Sequence, residues 1–88
     1  MNLQFIKYFV ALAESENFTR ASERVHVVQS TFSAGIKKLE ESLDTKLFDR
    51  DKRNVSLTKS GEILLPKAKQ LLSLWLSLIH ISEPTRPY

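Results

Sequence analysis

Eighty-eight residues suffice for one small domain with a modest core, and are too few for that core plus a buried small-molecule cavity. Thirteen lysines and arginines against ten acidic residues leave a formal charge of +3, mild enough that its distribution matters more than its total. With no cysteine there can be no disulfide and no thiolate metal site, which suits a reducing cytoplasm.

The opening MNLQFIKYF carries one lysine and neither a long apolar region nor a small-residue cleavage site, so it does not read as a signal peptide. Leu3, Ile6, Val10 and Ala13 recur at helical spacing, widened by Phe5, Phe9 and Leu12. They predict a first helix over about Leu3 to Ser15, buried on more than one face. Glu16 and Asn17 break it. Phe18, Ala21, Ser22 and Val25 repeat the pattern in a short second helix, with Thr19 as its N-cap and small Ala21 and Ser22 admitting a close neighbour.

His26, Val27 and Val28 form a turn, and a third helix follows from about Gln29 to Ser42 or Leu43. Phe32, Ile36, Leu39 and Leu43 fall within about 60° of one another and form its inner stripe. Opposite them stand Ser30, Ser33, Ala34 and Lys37, then Glu41, so the outer face passes from small, polar and cationic to acidic. A plain solvated helix has no reason to gather small residues there. A helix whose first half enters a groove while its acidic end stays away from phosphates does.

Leu47-Phe48 and Val55-Ser56-Leu57 flank Asp49-Arg50-Asp51-Lys52-Arg53-Asn54 and read as a two-stranded hairpin. Between Lys46 and Lys59 stand Lys46, Arg50, Lys52, Arg53 and Lys59 against Asp49 and Asp51, so the basic excess gathers where a polyanion could be met. Thr58 is placed to cap a fourth helix through Leu64, Ala68, Leu71, Leu72, Trp75 and Leu78, with a kink expected at Pro66. The apolar run from Leu71 to Ile81, broken by Ser73, Ser77 and His80, falls well short of the roughly 20 residues of a membrane span.

Each signal has a plainer reading. Taken alone, Lys37 and Lys38 are solvated helix charges; beside Ser30, Ser33 and Ala34 they read as DNA contacts. Arg50 and Arg53 could pair with Asp49 and Asp51, but arginines on such a loop recurrently enter a narrow minor groove. His26 has no cysteine or clustered carboxylates around it, so a packed or capping imidazole is expected and a metal site is not. Trp75 fits dimer packing better than base stacking. Gly35 inside a helix costs roughly 1 kcal/mol against alanine, which a close approach to DNA or to another helix would explain. No nucleophile, base and orienting group share a site, so no enzyme is expected, and no cofactor.

Phe18-Thr19, Ala21, Glu23-Arg24, His26-Val27, Gln29, Ser33, Ile36-Lys37, Leu39-Glu40, Leu43, Leu47-Phe48, Arg50, Arg53, Leu57-Thr58, Gly61 and Leu65-Pro66 resemble the N-terminal domain of the LysR-type transcriptional regulators. The likeness runs in one register from about Leu3 to Leu74. It implies a winged helix-turn-helix, mainly α, with a two-stranded wing and a long linker helix through which two subunits dimerise. It also implies that Gln29, Ser30, Ser33 and Ala34 face bases or nearby phosphates and that Arg50 and Arg53 belong to the wing. Three departures stand out. Val28 replaces the usual serine and cannot cap the third helix with a side-chain oxygen. Ala34, where the family often has a basic or larger polar residue, offers only a methyl contact. The family's effector domain follows the linker helix, whereas this chain stops and so offers no small-molecule effector site. The ending from about Leu76, LSLIHISEPTRPY, does not resemble the family's linker, and is expected to be adapter-derived sequence read in frame.

The resulting expectation is a winged helix-turn-helix at 1–58, a dimerisation helix at 59–81 and an unstructured tail at 82–88. Thr19, Gln29, Ser30, Thr31, Ser33, Ala34, Lys37, Lys38, Arg50, Lys52 and Arg53 are the candidate contacts to double-stranded DNA. Leu64, Ala68, Leu71, Leu72, Trp75 and Leu78 are the candidate homodimer contacts, and the location is cytoplasmic. From another class, a protein-interaction module pairing through the fourth helix is the alternative, which salt dependence of duplex binding would separate.

Overall fold

The structure, a computed structural model, describes residues 2–50 and 55–82, with side-chain surroundings to residue 78 of the last helix. In chain order it forms α1 (Leu3–Ser15), α2 (Phe18–Arg24), α3 (Gln29–Leu43), β1 (Phe48–Arg50), β2 (Val55–Leu57) and α4 (Lys59–Ser82). Four helices and one antiparallel two-stranded sheet are the expected architecture. Ser82, expected in the tail, closes α4; residues 83–88 lie outside the described residues, as do Lys52 and Arg53.

The central element is α1, against which α2, α3 and α4 all pack. That is why Ile6, Tyr8, Phe9, Val10, Ala11 and Leu12 are all buried, more than a one-faced helix would hide. Asn2 caps it, the side chain accepting from Gln4 N–H at 2.7 Å. Glu14 near its end accepts from Arg24 of α2 at 2.6 Å and from Lys69 of α4 at 2.9 Å, so one carboxylate ties three helices. Lys69 and then Arg24 hold this carboxyl below the usual carboxylate range. Its contribution is therefore present at neutral pH and is lost as the pH falls through the lowered folded value.

Thr19 does not cap α2, contrary to expectation. Asn17 does, its side-chain oxygen accepting from Arg20 N–H at 2.9 Å, and Thr19 sits within the first turn. Asparagine is among the strongest N-caps, and with the cap at 17 the Phe18 ring meets Phe32 edge-on at 6.0 Å. Buried Ala21 and Ser22 give the expected close approach.

The turn is made by backbone bonds. Val27 N–H donates to Ser22 O and His26 N–H to Glu23 O, both at 3.1 Å, with His26 left-handed at φ 60°. His26 is exposed, so of the packed or capping imidazole expected from sequence the packed form is not found. The end of α3 repeats the device, with Asp44 at φ 53°, its N–H donating to Glu41 O and Thr45 N–H to Glu40 O.

Along α3, Phe32, Ile36 and Leu39 are fully buried and Leu43 half-buried, as the periodicity predicts. Val28 precedes the helix without a side-chain cap bond. Gly35 is explained by α1 rather than by DNA: a Cβ there would stand 2.6 Å from Tyr8 Cδ2.

In the wing, Phe48 pairs with Leu57, Asp49 with Ser56 and Arg50 with Val55. Its base is anchored because buried Phe48 packs against Phe9, ring centroids 5.5 Å apart and planes tilted by 55°. Thr58 caps α4 as expected, its Oγ1 accepting from Gly61 N–H at 3.1 Å while donating to Lys46 O at 2.7 Å.

The predicted dimer stripe on α4 divides in two. Ala68 is 2% exposed, and half-buried Leu64 and Leu72 pack on the same core, so these three belong to the chain's own interior. Their spacing of four keeps them on one face of the helix. Leu71, Trp75 and Leu78 are exposed, and Ile63, Leu74 and Leu76 join them. The helix runs on through Pro66, which has no N–H to offer the preceding turn.

Gly61 allows α4 to begin against the wing, since a Cβ there would collide with the Leu47 carbonyl oxygen. That oxygen accepts from Thr58 N–H at 3.0 Å and is not free to move. Gly61→Ala should therefore lower the unfolding free energy by about 1–3 kcal/mol, although alanine gains about 1 kcal/mol in helix propensity. Urea melts of the two chains check this; an unchanged midpoint would refute the close-contact account.

Candidate nucleic-acid interface

The inner stripe of α3 fixes what its other faces present. Gln29, Ser30, Thr31, Ala34, Lys37 and Lys38 are exposed and Ser33 is half-buried, so every expected contact on this helix reaches the surface. They do not form one group. Gln29, Ser30 and Ser33 line a groove with Phe18 and Arg50. Lys37 lines an adjoining one with Lys46, Arg50, Glu40, Glu41, Asp44 and Thr45. Arg50 belongs to both, and so joins them into one surface along α3.

Lys38 lies elsewhere, beside Asn2, Phe5, Glu41 and Ser42. Thr31, seven residues earlier, shares that flank by helical spacing. Ala34 turns its methyl outward between the two sides. The charge gradient read from sequence is present: Arg50 is the charged residue at the Gln29 end, whereas Glu40, Glu41 and Asp44 offset Lys37, Lys46 and Arg50 at the other.

Arg50 ends β1 on the loop side of the wing, held in three ways. It pairs with Val55 across the sheet, its guanidinium carbon lies 5.3 Å from the Phe18 ring centroid, and Nη2 is 3.5 Å from Glu40 Oε1. Among the described residues its ion-pair partner is Glu40 and not Asp49; Asp51 and Arg53, the rest of the plainer reading, lie outside them.

Glu40, which the sequence marks only as part of the family likeness, has a role that the sequence does not assign. Its other oxygen, Oε2, accepts from Leu47 N–H at 2.8 Å and from Phe48 N–H at 3.1 Å. One carboxylate thereby satisfies two backbone donors of buried residues and orients an arginine, linking α3 to the wing. No local signal marks it, because its partners are seven to ten residues away through a turn. Phe18 was likewise read as core, yet its ring lines the groove beneath Arg50.

Across the helix-turn-helix, Gln29 Nε2 donates to Thr19 Oγ1 at 2.7 Å, bringing two expected contact residues together. Among the described residues, no three His, Cys, Asp or Glu side chains group as a metal site, and no helix is long and apolar enough to cross a membrane.

Residues 3–62 match the model of the family described as bacterial regulatory helix-turn-helix protein, lysR family. The chain is 42% identical over 74 residues to the HTH-type transcriptional regulator TfdT of Cupriavidus pinatubonensis, covering 84% of this chain and 32% of TfdT. It is 44% identical over 72 residues to the Hca operon transcriptional activator HcaR of Escherichia coli, covering 82% of this chain and 24% of HcaR. The chain thus spans about a third or less of the length of these relatives. Among solved structures, the complex of the BenM DNA-binding domain with catB site 1 DNA superposes with a TM-score of 0.88 at 33% identity, covering 93% of this chain and 91% of that one.

The Glu40 carboxylate generates a stability prediction. Glu40→Ala leaves two buried backbone N–H groups without an acceptor and should cost about 2–6 kcal/mol, at about 1–3 kcal/mol for each group. Glu40→Gln keeps one acceptor oxygen and should cost less. Denaturant melts of both variants test the order; negligible loss in Glu40→Ala would rule out the proposed link between α3 and the wing.

Proposed function

Since the chain belongs to the LysR family of bacterial regulatory helix-turn-helix proteins, we propose that it reads duplex DNA as the DNA-binding part of a transcription regulator. Sequence-specific DNA binding is the activity, with α3 in the major groove and the wing against the backbone or minor groove. The observation that carries this reading is the continuous surface from Gln29, Ser30 and Ser33 through Arg50 to Lys37 and Lys46. Polar side chains able to meet base edges stand at the Gln29 end with Arg50 beside them to meet phosphate, while Lys37 and Lys46 stand among Glu40, Glu41 and Asp44 at the other.

Gln29 and Ser33 are the proposed specificity contacts, supported by Thr19, Ser30 and Ala34. Lys37, Arg50 and the wing residues Lys52 and Arg53 hold the backbone. Thr31 and Lys38, on the far flank, would meet only the opposite phosphate strand. Recognition, not catalysis, is the role proposed, in the cytoplasm where such a regulator meets DNA.

A homodimer through α4 completes the proposal. Leu71, Leu74 and Trp75 are 43%, 61% and 43% exposed, and such an apolar surface on one helix normally marks an interface. A two-fold axis would make the site roughly palindromic, with half-sites separated by whole turns.

Binding to a selected duplex should weaken linearly in log salt, with a slope of roughly −0.9 per phosphate contacted. Gln29→Ala should cost about 1–3 kcal/mol on that duplex and relax choice at one base pair, whereas Arg53→Ala should weaken binding to all duplexes. Salt-independent binding, or equal losses for both variants on selected and random DNA, would refute this division. For the dimer, Leu71→Asp with Leu74→Asp should give monomers by sedimentation and weaken operator binding, because linked readers bind more tightly than single ones. A double variant that stays dimeric would falsify the assignment to α4.

A further inference from the structure

Thr19 and Gln29 are ten residues apart, on different helices, both exposed and joined by one hydrogen bond. A glutamine amide that has given one N–H to Thr19 Oγ1 still holds Oε1 and a second N–H. An acceptor beside a donor matches adenine, which offers an N6 amino group and an N7 acceptor in the major groove. Turned over, the same amide would accept the Thr19 proton on Oε1 and present two N–H donors. That face matches guanine, whose O6 and N7 both accept. The two orientations have nearly the same shape, so the direction of the Thr19 bond selects between them.

The structure has Nε2 toward Thr19, the first of the two, and what decides between them is the other partner of the hydroxyl rather than the shape of the amide. Among the described residues the Thr19 hydroxyl accepts from Gln29 and donates to no protein atom. It is free of the capping role, which Asn17 performs, and the Thr19 carbonyl is engaged separately by Ser22 Oγ at 2.9 Å. Against a duplex, the acceptor at hand for this proton is a phosphate oxygen, which can only accept. A hydroxyl that has given its proton to phosphate must take one from Gln29.

We infer that Thr19 is a positioning residue for base choice: by accepting from Gln29 Nε2 it orients the amide to prefer adenine over guanine. This rests on the DNA-reading role proposed above. It also couples the two halves of recognition, since the backbone contact sets the hydrogen-bond face offered to the base.

The test begins by selecting duplexes with the parent chain and locating the base pair at which Gln29→Ala loses discrimination. Adenine and guanine are then compared at that pair for the parent, Thr19→Ser and Thr19→Val, each first shown to be folded by its thermal melt. The parent and Thr19→Ser, which keeps the hydroxyl, should prefer adenine by about 5- to 140-fold, the range for one good bidentate contact. Thr19→Val keeps the shape without the hydroxyl and should still bind duplex, with the preference reduced to less than about a fifth of the parent's. A Thr19→Val chain that retains the parent's ratio overturns the inference. So does a parent that prefers guanine at that pair, or a Gln29→Ala chain that loses discrimination nowhere. A parent chain that binds no duplex at low salt overturns the DNA-reading role itself, a different outcome.

Discussion

The seat of Phe32 is the constraint on which the surface of this domain depends. Its ring is fully buried, 5.1 Å from Tyr8 of α1 and 6.0 Å from Phe18 of α2. Helix α3 can pack on both neighbours only with Phe32, Ile36 and Leu39 inward, so its rotation about its own axis is set by the core. Gly35 lets the backbone approach Tyr8 at that rotation. Ser30, Ser33 and Lys37 are then presented outward by that rotation, and Gln29 by it together with its bond to Thr19. A DNA reader needs such placement, because base contacts lose their value when the helix is free to roll.

The wing faces the opposite problem. Two three-residue strands do not support themselves, and of their six residues only Phe48 is deeply buried. Glu40 and Thr58 supply what packing alone does not, each bonding to backbone at the wing's base. Arg50 is thereby fixed between α2, α3 and the sheet. Its charge is partly offset by Glu40, which suits it to position as much as to attract.

Three sites in this fold use side-chain or backbone groups to release another group for recognition. Asn17 caps α2, and Thr19 is left able to meet Gln29. Backbone bonds alone close the turn at His26 and Val27, so it needs no side chain of its own. On α4, Leu64, Ala68 and Leu72 fill the core while Leu71, Leu74 and Trp75 remain exposed. A single helix thus serves two apolar surfaces.

The local physics of the chain determined a good deal by itself. Helical spacing of Phe32, Ile36 and Leu39 predicted the inner face of α3, and Thr58 its capping role, because both depend on residues within one or two turns. The β-prone pieces around a basic loop predicted the hairpin, and with the small outer face of α3 they pointed to DNA, a reading that the family resemblance joined into a winged helix-turn-helix. The tertiary structure alone decided the rest. Glu40's link to Leu47, Phe48 and Arg50, the Thr19–Gln29 bond and the Glu14 tie between three helices all join residues brought close by a turn or by packing. The division of the α4 stripe is of the same kind: Ala68 and Leu71 look alike in an apolar pattern, and only the position of α1 makes one core and leaves the other exposed. Periodicity records which residues are apolar, whereas burial depends on which neighbour arrives.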